Sequence, residues 1–263
     1  MAKLQGTPCW YELDTHRGSL GAAEAFYGAV LGWSVRDAGM EGFDYHLASV
    51  DGAMVAGLME LPTEAGATEP SWTIYFAVDN ADATADQIRA TGGGIVTEPA
   101  DIPGTGRFAV ATDAQGARFG ILQPEPMPGQ EGAGGAFDQK KQGHGNWNEL
   151  MTSDPGAGFD FYAGLFGWTK SQAIDMGEMG TYQLFAHDGA DIGGMMGLGM
   201  APAPAWLPYF GTNGVEAAIG RIQAAGGKIM HGPIEVPGGA FIAVAEDPQG
   251  AHFAVVGPKE VAA

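Results

Sequence analysis

Between positions 20 and 32 the apolar residues Leu20, Ala23, Phe26, Tyr27, Val30 and Leu31 recur every three or four places. That spacing lines one face of an α-helix and predicts a helix there. Gly32 stands where a helix ends in a left-handed glycine. On either side the pattern changes to short apolar runs with strand character: 8–14, 45–50, 53–61 and 72–78. Asp51-Gly52 between the middle two is a two-residue hairpin signal. A second helix is expected over 82–90, stopped by Gly92-Gly93-Gly94. Strands at 95–98, 107–112 and 117–122 follow, the last two hinged at Asp113-Ala114-Gln115-Gly116. The order is strand, helix, strands, then strand, helix, strands again.

The same pattern then returns. Phe26-Tyr27-Gly28-Ala29-Val30-Leu31-Gly32-Trp33 reappears as Phe161-Tyr162-Ala163-Gly164-Leu165-Phe166-Gly167-Trp168. Trp10-Tyr11-Glu12-Leu13 reappears as Trp147-Asn148-Glu149-Leu150, Trp72 with Tyr75-Phe76 as Trp206 with Tyr209-Phe210, and Asp113-Ala114-Gln115-Gly116 as Asp247-Pro248-Gln249-Gly250. Periods this long mean duplicated domains; the repeats of a solenoid are far shorter. The expected organisation is a first domain over 1–123, a Pro/Gly-rich linker over 124–145 and a second domain over 146–258. Each domain is itself a pair of similar modules.

Charge narrows the partners. With 31 acidic and 12 basic residues the net charge is −19. Nucleic acid and anionic membranes would be repelled, so neither is an expected partner. The one cysteine, Cys9, has no second cysteine to pair with; beside Trp10 in a strand it reads as a packed side chain sooner than a reactive thiol. No segment has the apolar length of a signal sequence or of a membrane span. A cytoplasmic location and a monomer or homodimer are expected.

The quoted motifs carry a resemblance. A strand, Phe-Tyr-x-x-x-x-Gly-Trp closing a helix, an Asp-Gly hairpin, a helix ending in Gly-Gly and Asp-x-x-Gly-x-x-Phe together resemble the vicinal-oxygen-chelate superfamily. Its members include glyoxalases, bleomycin-resistance proteins and extradiol dioxygenases. The resemblance covers nearly the whole chain outside the linker and implies an α+β fold. Two tandem glyoxalase-like domains are expected, each of two paired βαβββ modules whose sheets curl around a cleft. A fold of this kind hosts many reactions.

The resemblance also implies where metal ligands would stand. Catalytic relatives hold a divalent ion with His and Glu on inward strand positions. Here those positions carry Trp10 and Trp147 on the first strands, Thr73 and Leu207 opening the second modules, and Gly120 and Ala254 on the last strands. A further position falls near Met59-Glu60 and near Met196-Gly197, where only Glu60 could coordinate. No metal and no other cofactor is expected from such a set. A Glu149/His252 pair is the one non-standard alternative.

Residues two apart on a strand share a face. If Trp10 and Trp147 point inward, so do Glu12 and Glu149. These two are the candidate catalytic residues, since partial burial would raise a carboxylate toward neutrality and suit it to general-base work. The plain alternative is that each satisfies nearby backbone. Trp10, Trp72, Tyr75, Trp147, Trp206 and Tyr209 could line an aromatic slot for a planar ligand or could fill the core.

Three functions follow. One is metal-independent binding of a small aromatic or amphipathic molecule. Another is a glyoxalase-like lyase or isomerase with an inward glutamate as base, or a metal-dependent glyoxalase or dioxygenase if the ligand register lies one residue away. The third is a protein-interaction module with degenerate clefts.

Overall fold

The structure, a computed structural model, describes residues 5–40, 44–61, 69–125, 135–199 and 201–261. The first copy runs β1 (Pro8–Thr15), α1 (Leu20–Leu31), β2 (Ser34–Asp37), β3 (Tyr45–Val50), β4 (Ala53–Glu60), β5 (Ser71–Ala77), α2 (Ala81–Ala90), β6 (Gly94–Ile102), β7 (Gly106–Thr112) and β8 (Arg118–Pro124). The second runs β9 (Gly145–Thr152), α3 (Pro155–Phe166), β10 (Thr169–Asp175), β11 (Thr181–His187), β12 (Ala190–Gly197), β13 (Ala205–Gly211), α4 (Val215–Ala224), β14 (Lys228–Glu235), β15 (Phe241–Glu246) and β16 (His252–Gly257).

Each copy folds into one eight-stranded curled sheet. The orders are β2-β3-β4-β1-β5-β8-β7-β6 and β10-β11-β12-β9-β13-β16-β15-β14. Within each four-stranded module the strand that precedes the helix pairs in parallel with the last strand of the module, as β1 with β4 and β13 with β16. The other pairings within a module are antiparallel hairpins, as β3 with β4 and β7 with β8. The fold is α+β, as the duplicated pattern implies. Strand β2 is an addition to that pattern. It has four residues, three of them exposed, so no alternation marks it.

Local chemistry sets the boundaries. Gly32 and Gly167 close α1 and α3 in the left-handed region, at φ 76° and 72°. Asp51 and Gly52 both take positive φ, 49° and 80°, which is the geometry of a type I′ hairpin. Asp154 caps α3 by accepting from the Gly156 and Ala157 N–H groups.

Packing divides the chain into two compact units. One consists of Trp10–Trp72, Ala133–Asn146 and Pro208–Ala263; the other of Met1–Cys9, Thr73–Gly132 and Trp147–Leu207. Each unit draws on both copies of the repeat.

In the first unit α1 is fixed by a buried relay. The Trp72 indole N–H donates to the Tyr27 hydroxyl at 3.0 Å, and that hydroxyl donates to Asp247 Oδ2 at 2.9 Å. Asp247 Oδ1 in turn accepts the backbone N–H groups of Gln249 and Ala251, closing the turn before β16. Tyr27 stacks on Trp33 at 5.6 Å and meets Trp72 and Phe253 edge-on.

The second unit repeats the relay. Trp206 donates to the Tyr162 hydroxyl at 2.9 Å and Tyr162 donates to Asp113 Oδ2 at 3.0 Å. Asp113 Oδ1 accepts from Gln115 and Ala117. The aspartates of the two Asp-x-x-Gly turns are structural in both units, and the helix Phe-Tyr pairs are core.

His144 falls in the Pro/Gly-rich stretch 124–145, whose composition alone predicts a solvated side chain, yet it is fully buried. The cause lies beside it. The Trp33 indole N–H needs a buried acceptor and takes the Gly143 carbonyl at 2.7 Å, while Gly143 and His144 exchange backbone hydrogen bonds with Gly211. Residues 126–134 of the expected linker lie outside the described residues.

Two predictions follow from the relays. Tyr27→Phe and Tyr162→Phe each leave a buried carboxylate without its hydroxyl donor, which costs about 1–3 kcal/mol; urea unfolding reads this, and a loss near zero would deny the relay its role. Burial also raises the Asp247 carboxyl above its ordinary range. The folded protein therefore keeps that proton to higher pH than the unfolded chain does. The stability from this group is present at acid pH and is lost as pH climbs through the raised value. Unfolding free energy measured from pH 4 upward should carry that falling component, and Asp247→Asn should remove it.

Candidate functional site

The strand-period argument holds along β1. Tyr11 and Leu13 are fully buried, whereas Trp10 and Glu12 between them are half-buried and face the other side of the sheet. On that side the Trp10 indole N–H donates to the Tyr45 hydroxyl at 2.9 Å, and Tyr45 donates to Glu12 Oε2 at 2.9 Å. The ring of Tyr45, on β3, lies over Gly57 of β4, where any Cβ would collide with it. Gly57 is the register partner of Glu12, so the bare glycine brings the hydroxyl to the carboxylate.

Strand β9 rebuilds the arrangement in the other unit. Trp147 donates to the Tyr182 hydroxyl at 2.8 Å, and Tyr182 hydrogen-bonds Glu149. Tyr182 lies over Gly194, the register partner of Glu149. Burial first, and the glutamate carboxylate second, push both tyrosine hydroxyls well above the usual tyrosine range. Each tyrosine thus stays protonated and acts as a donor to its glutamate.

The sequence reading names Trp10, Glu12, Trp147 and Glu149 but omits both tyrosines. A signal for them existed: each follows its tryptophan by 35 positions, a spacing the duplication preserves.

The other aromatic candidates divide by strand parity. Tyr75 shares the face opposite the helices, its ring covering Gly120 of β8. Tyr209 is paired with Ala254 of β16. Trp72 and Trp206, three positions before those tyrosines, fall on the helix side as members of the buried relays. These two are core, and the expected aromatic slot does not include them. Cys9 is half-buried and packed: its thiol donates to the Tyr75 carbonyl at 3.4 Å, and desolvation pushes its pKa up.

The positions that would hold a metal ion do not fit one. Trp10 and Trp147 use their only donors on tyrosine and have no metal-binding atom. The Tyr75 ring fills the space over Gly120. Leu207 and Ala254 are buried hydrocarbon, and Thr73 is a buried hydroxyl. Glu60 accepts the Gly18 N–H at 2.7 Å. His252 is exposed, with Glu246 at 3.9 Å. Among the described residues no three His, Cys, Asp or Glu side chains are grouped to bind an ion.

The family model of the Glyoxalase/Bleomycin resistance protein/Dioxygenase superfamily matches residues 16–121 and again 144–255, and the chain belongs to this superfamily. CFP32 of Mycobacterium tuberculosis, named as a candidate glyoxylase, is 34% identical over 260 residues, covering 97% of this chain and 95% of that protein. The anthracycline biosynthesis protein DnrV of Streptomyces peucetius is 31% identical over 273 residues, covering 97% and 94%. Among solved structures, 2,2′,3-trihydroxybiphenyl 1,2-dioxygenase of Sphingomonas wittichii superposes with a TM-score of 0.69 at 12% identity, over 98% of this chain and 92% of that one. The Mn(II)-bound glyoxalase of Novosphingobium aromaticivorans gives 0.66 at 17%, over 98% and 84%. At these identities the two structures share the fold.

The site analysis gives two expectations. Gly57→Ala and Gly194→Ala should force the tyrosine off its glutamate and cost about 1–3 kcal/mol by overpacking, seen as a lower melting temperature with a changed tyrosine ultraviolet difference spectrum; unchanged spectra would mean the glycine seats are dispensable. Adding Mn²⁺ or Zn²⁺ should leave the melting temperature where it is, whereas a metal at 100 times its Kd would stabilise by about 2.7 kcal/mol.

Proposed function

We propose that this member of the glyoxalase superfamily binds a small aromatic or amphipathic molecule in metal-independent clefts. The carrying observation is the twin Trp–Tyr–Glu cluster, half-buried on the sheet face away from the helices, in place of a metal-ligand set. Each cluster combines an indole face with a fixed hydrogen-bonding carboxylate, the combination that orients a planar ligand. The relative named for anthracycline biosynthesis points the same way, since anthracyclines are planar aromatic molecules. A cytoplasmic monomer or homodimer remains part of the proposal. Among the described residues no helix is long and apolar enough to cross a membrane.

One observation favours a second reading. A glutamate hydrogen-bonded to a protonated tyrosine is also the acid–base pair of a proton-transferring lyase or isomerase. Under that reading the carboxylate would remove a carbon-bound proton from a bound carbonyl compound.

Titration with 1-naphthol, read by intrinsic fluorescence, tests the first reading. Trp10→Phe and Trp147→Phe should each diminish the quenching. Glu12→Gln and Glu149→Gln should each weaken binding about tenfold, or about 1.4 kcal/mol, with little change in melting temperature. Absence of any response to 1-naphthol or to other planar aromatics would refute it. Deuterium exchange into a bound α-hydroxy ketone, lost in the glutamine variants, would favour the second.

A further inference from the structure

An open groove lies beside α3, on the side of the sheet away from the Trp147–Tyr182–Glu149 cluster. Pro155, Lys170, Met179, Thr181, Gln183 and Gly197 line it, and its volume is about 330 Å³, within the range of small-ligand sites. Strand period separates it from the cluster. Thr181 and Gln183 flank Tyr182 on β11, so their side chains point to the opposite face.

The groove holds a cation without an acidic partner. Lys170 Nζ sits 4.8 Å from the centre of the Phe159 ring, and among the described residues it makes no ion pair. The amides that open α3 take no part, because Gly156 and Ala157 both donate to Asp154 Oδ1. Gln183 spends its amide donors on backbone carbonyls, the Leu184 carbonyl nearest at 2.9 Å. The ammonium of Lys170 and the hydroxyl of Thr181 are the side-chain donors left to the groove.

The duplication shows the same place in another form. In the first copy Val35 stands for Lys170, Glu24 for Phe159, Asp44 for Thr181, His46 for Gln183 and Glu60 for Gly197. There the chain supplies its own acids. His46 is lodged between Glu24 and Asp44, 3.0 Å from the latter, and Glu60 Oε1 accepts the Gly18 N–H at 2.7 Å just before α1. In the second copy the three acids and the histidine are absent together and a lysine enters. Gly197 also leaves room: a Cβ there would meet no heavy atom within 4 Å.

We infer that the groove between α3, β10, β11 and β12 binds an amphipathic carboxylate. Its anionic end pairs with Lys170 near Thr181, and its apolar body lies against Met179 and Pro155. A single ammonium suits a monoanion, and a thioether adapts to an irregular apolar body. This site is separate from the proposed clefts and does not depend on them.

The probe is 1-naphthoate, followed by NMR of methyl-labelled methionine. Met179, assigned with Met179→Leu, reports the groove, whereas Met151 and Met196 lie on the cluster side. Naphthoate should shift the Met179 signal saturably, and 1-naphthylmethylamine should not. Lys170→Gln should weaken binding at least about threefold, the scale of an exposed ion pair, and Lys170→Arg should retain it. Gly197→Glu restores the first copy's carboxylate and should weaken binding about tenfold by like charge. Because Gly197 has open space around it, its melting temperature should stay near that of the wild type. Glu149→Gln should leave the Met179 titration unchanged. A Met179 signal that does not respond, an amine that shifts it as naphthoate does, or an affinity that Lys170→Gln leaves unaltered would overturn the inference. Naphthoate shifts confined to Met151 and Met196 would overturn it too, while supporting ligand binding at the cluster.

Discussion

Two buried carboxylates hold this protein's architecture. Asp247 and Asp113 each close a tight turn with one oxygen and receive a helix tyrosine with the other. Removing either tyrosine hydroxyl would leave a desolvated charge with only its turn amides, a larger penalty than the loss of an ordinary surface contact. The relay also fixes the helix. Tyr27 and Tyr162 cannot rotate without giving up both the tryptophan above and the aspartate below. The aromatic clusters pack around these fixed rings.

The other face reuses the same three-part grammar with a different outcome. A tryptophan N–H again donates to a tyrosine, which again donates to a carboxylate. What changes is exposure. The aspartates of the relays are almost wholly enclosed, whereas Glu12 and Glu149 are half-buried. A carboxylate locked to backbone amides in a dry interior serves stability. Glu12 and Glu149, each hydrogen-bonded by a tyrosine hydroxyl, stand instead at the solvent boundary. The bare glycines beneath Tyr45 and Tyr182 make the second arrangement possible, because only a strand without a Cβ lets a ring lie across it.

Much of this was legible in the chain. The helix boundaries, the type I′ hairpin at Asp51-Gly52 and the shared strand face of Trp10 with Glu12 all follow from local spacing and period. The aromatic slot was over-assigned for a simple reason: Trp72 and Tyr75 are an odd number of positions apart, so one strand cannot point both the same way. The tyrosines of the site went unnoticed because neither stands in a motif, and their meaning depends on a glycine across a strand pairing. His144 was misjudged because composition describes a segment's tendency and says nothing of the Trp33 donor that captures it. Least legible was the crossed partnership, in which each tyrosine finds the aspartate of the opposite copy. Both copies contain the same two motifs, and nothing in either says which will pair.

That crossing gives synthesis an order. Tyr162 and Asp113 lie 49 positions apart, so that pair closes a short loop. Tyr27 must wait for Asp247, 220 positions downstream. Loop closure over that distance is slow, and until it happens the Tyr27 hydroxyl has its tryptophan but lacks its carboxylate.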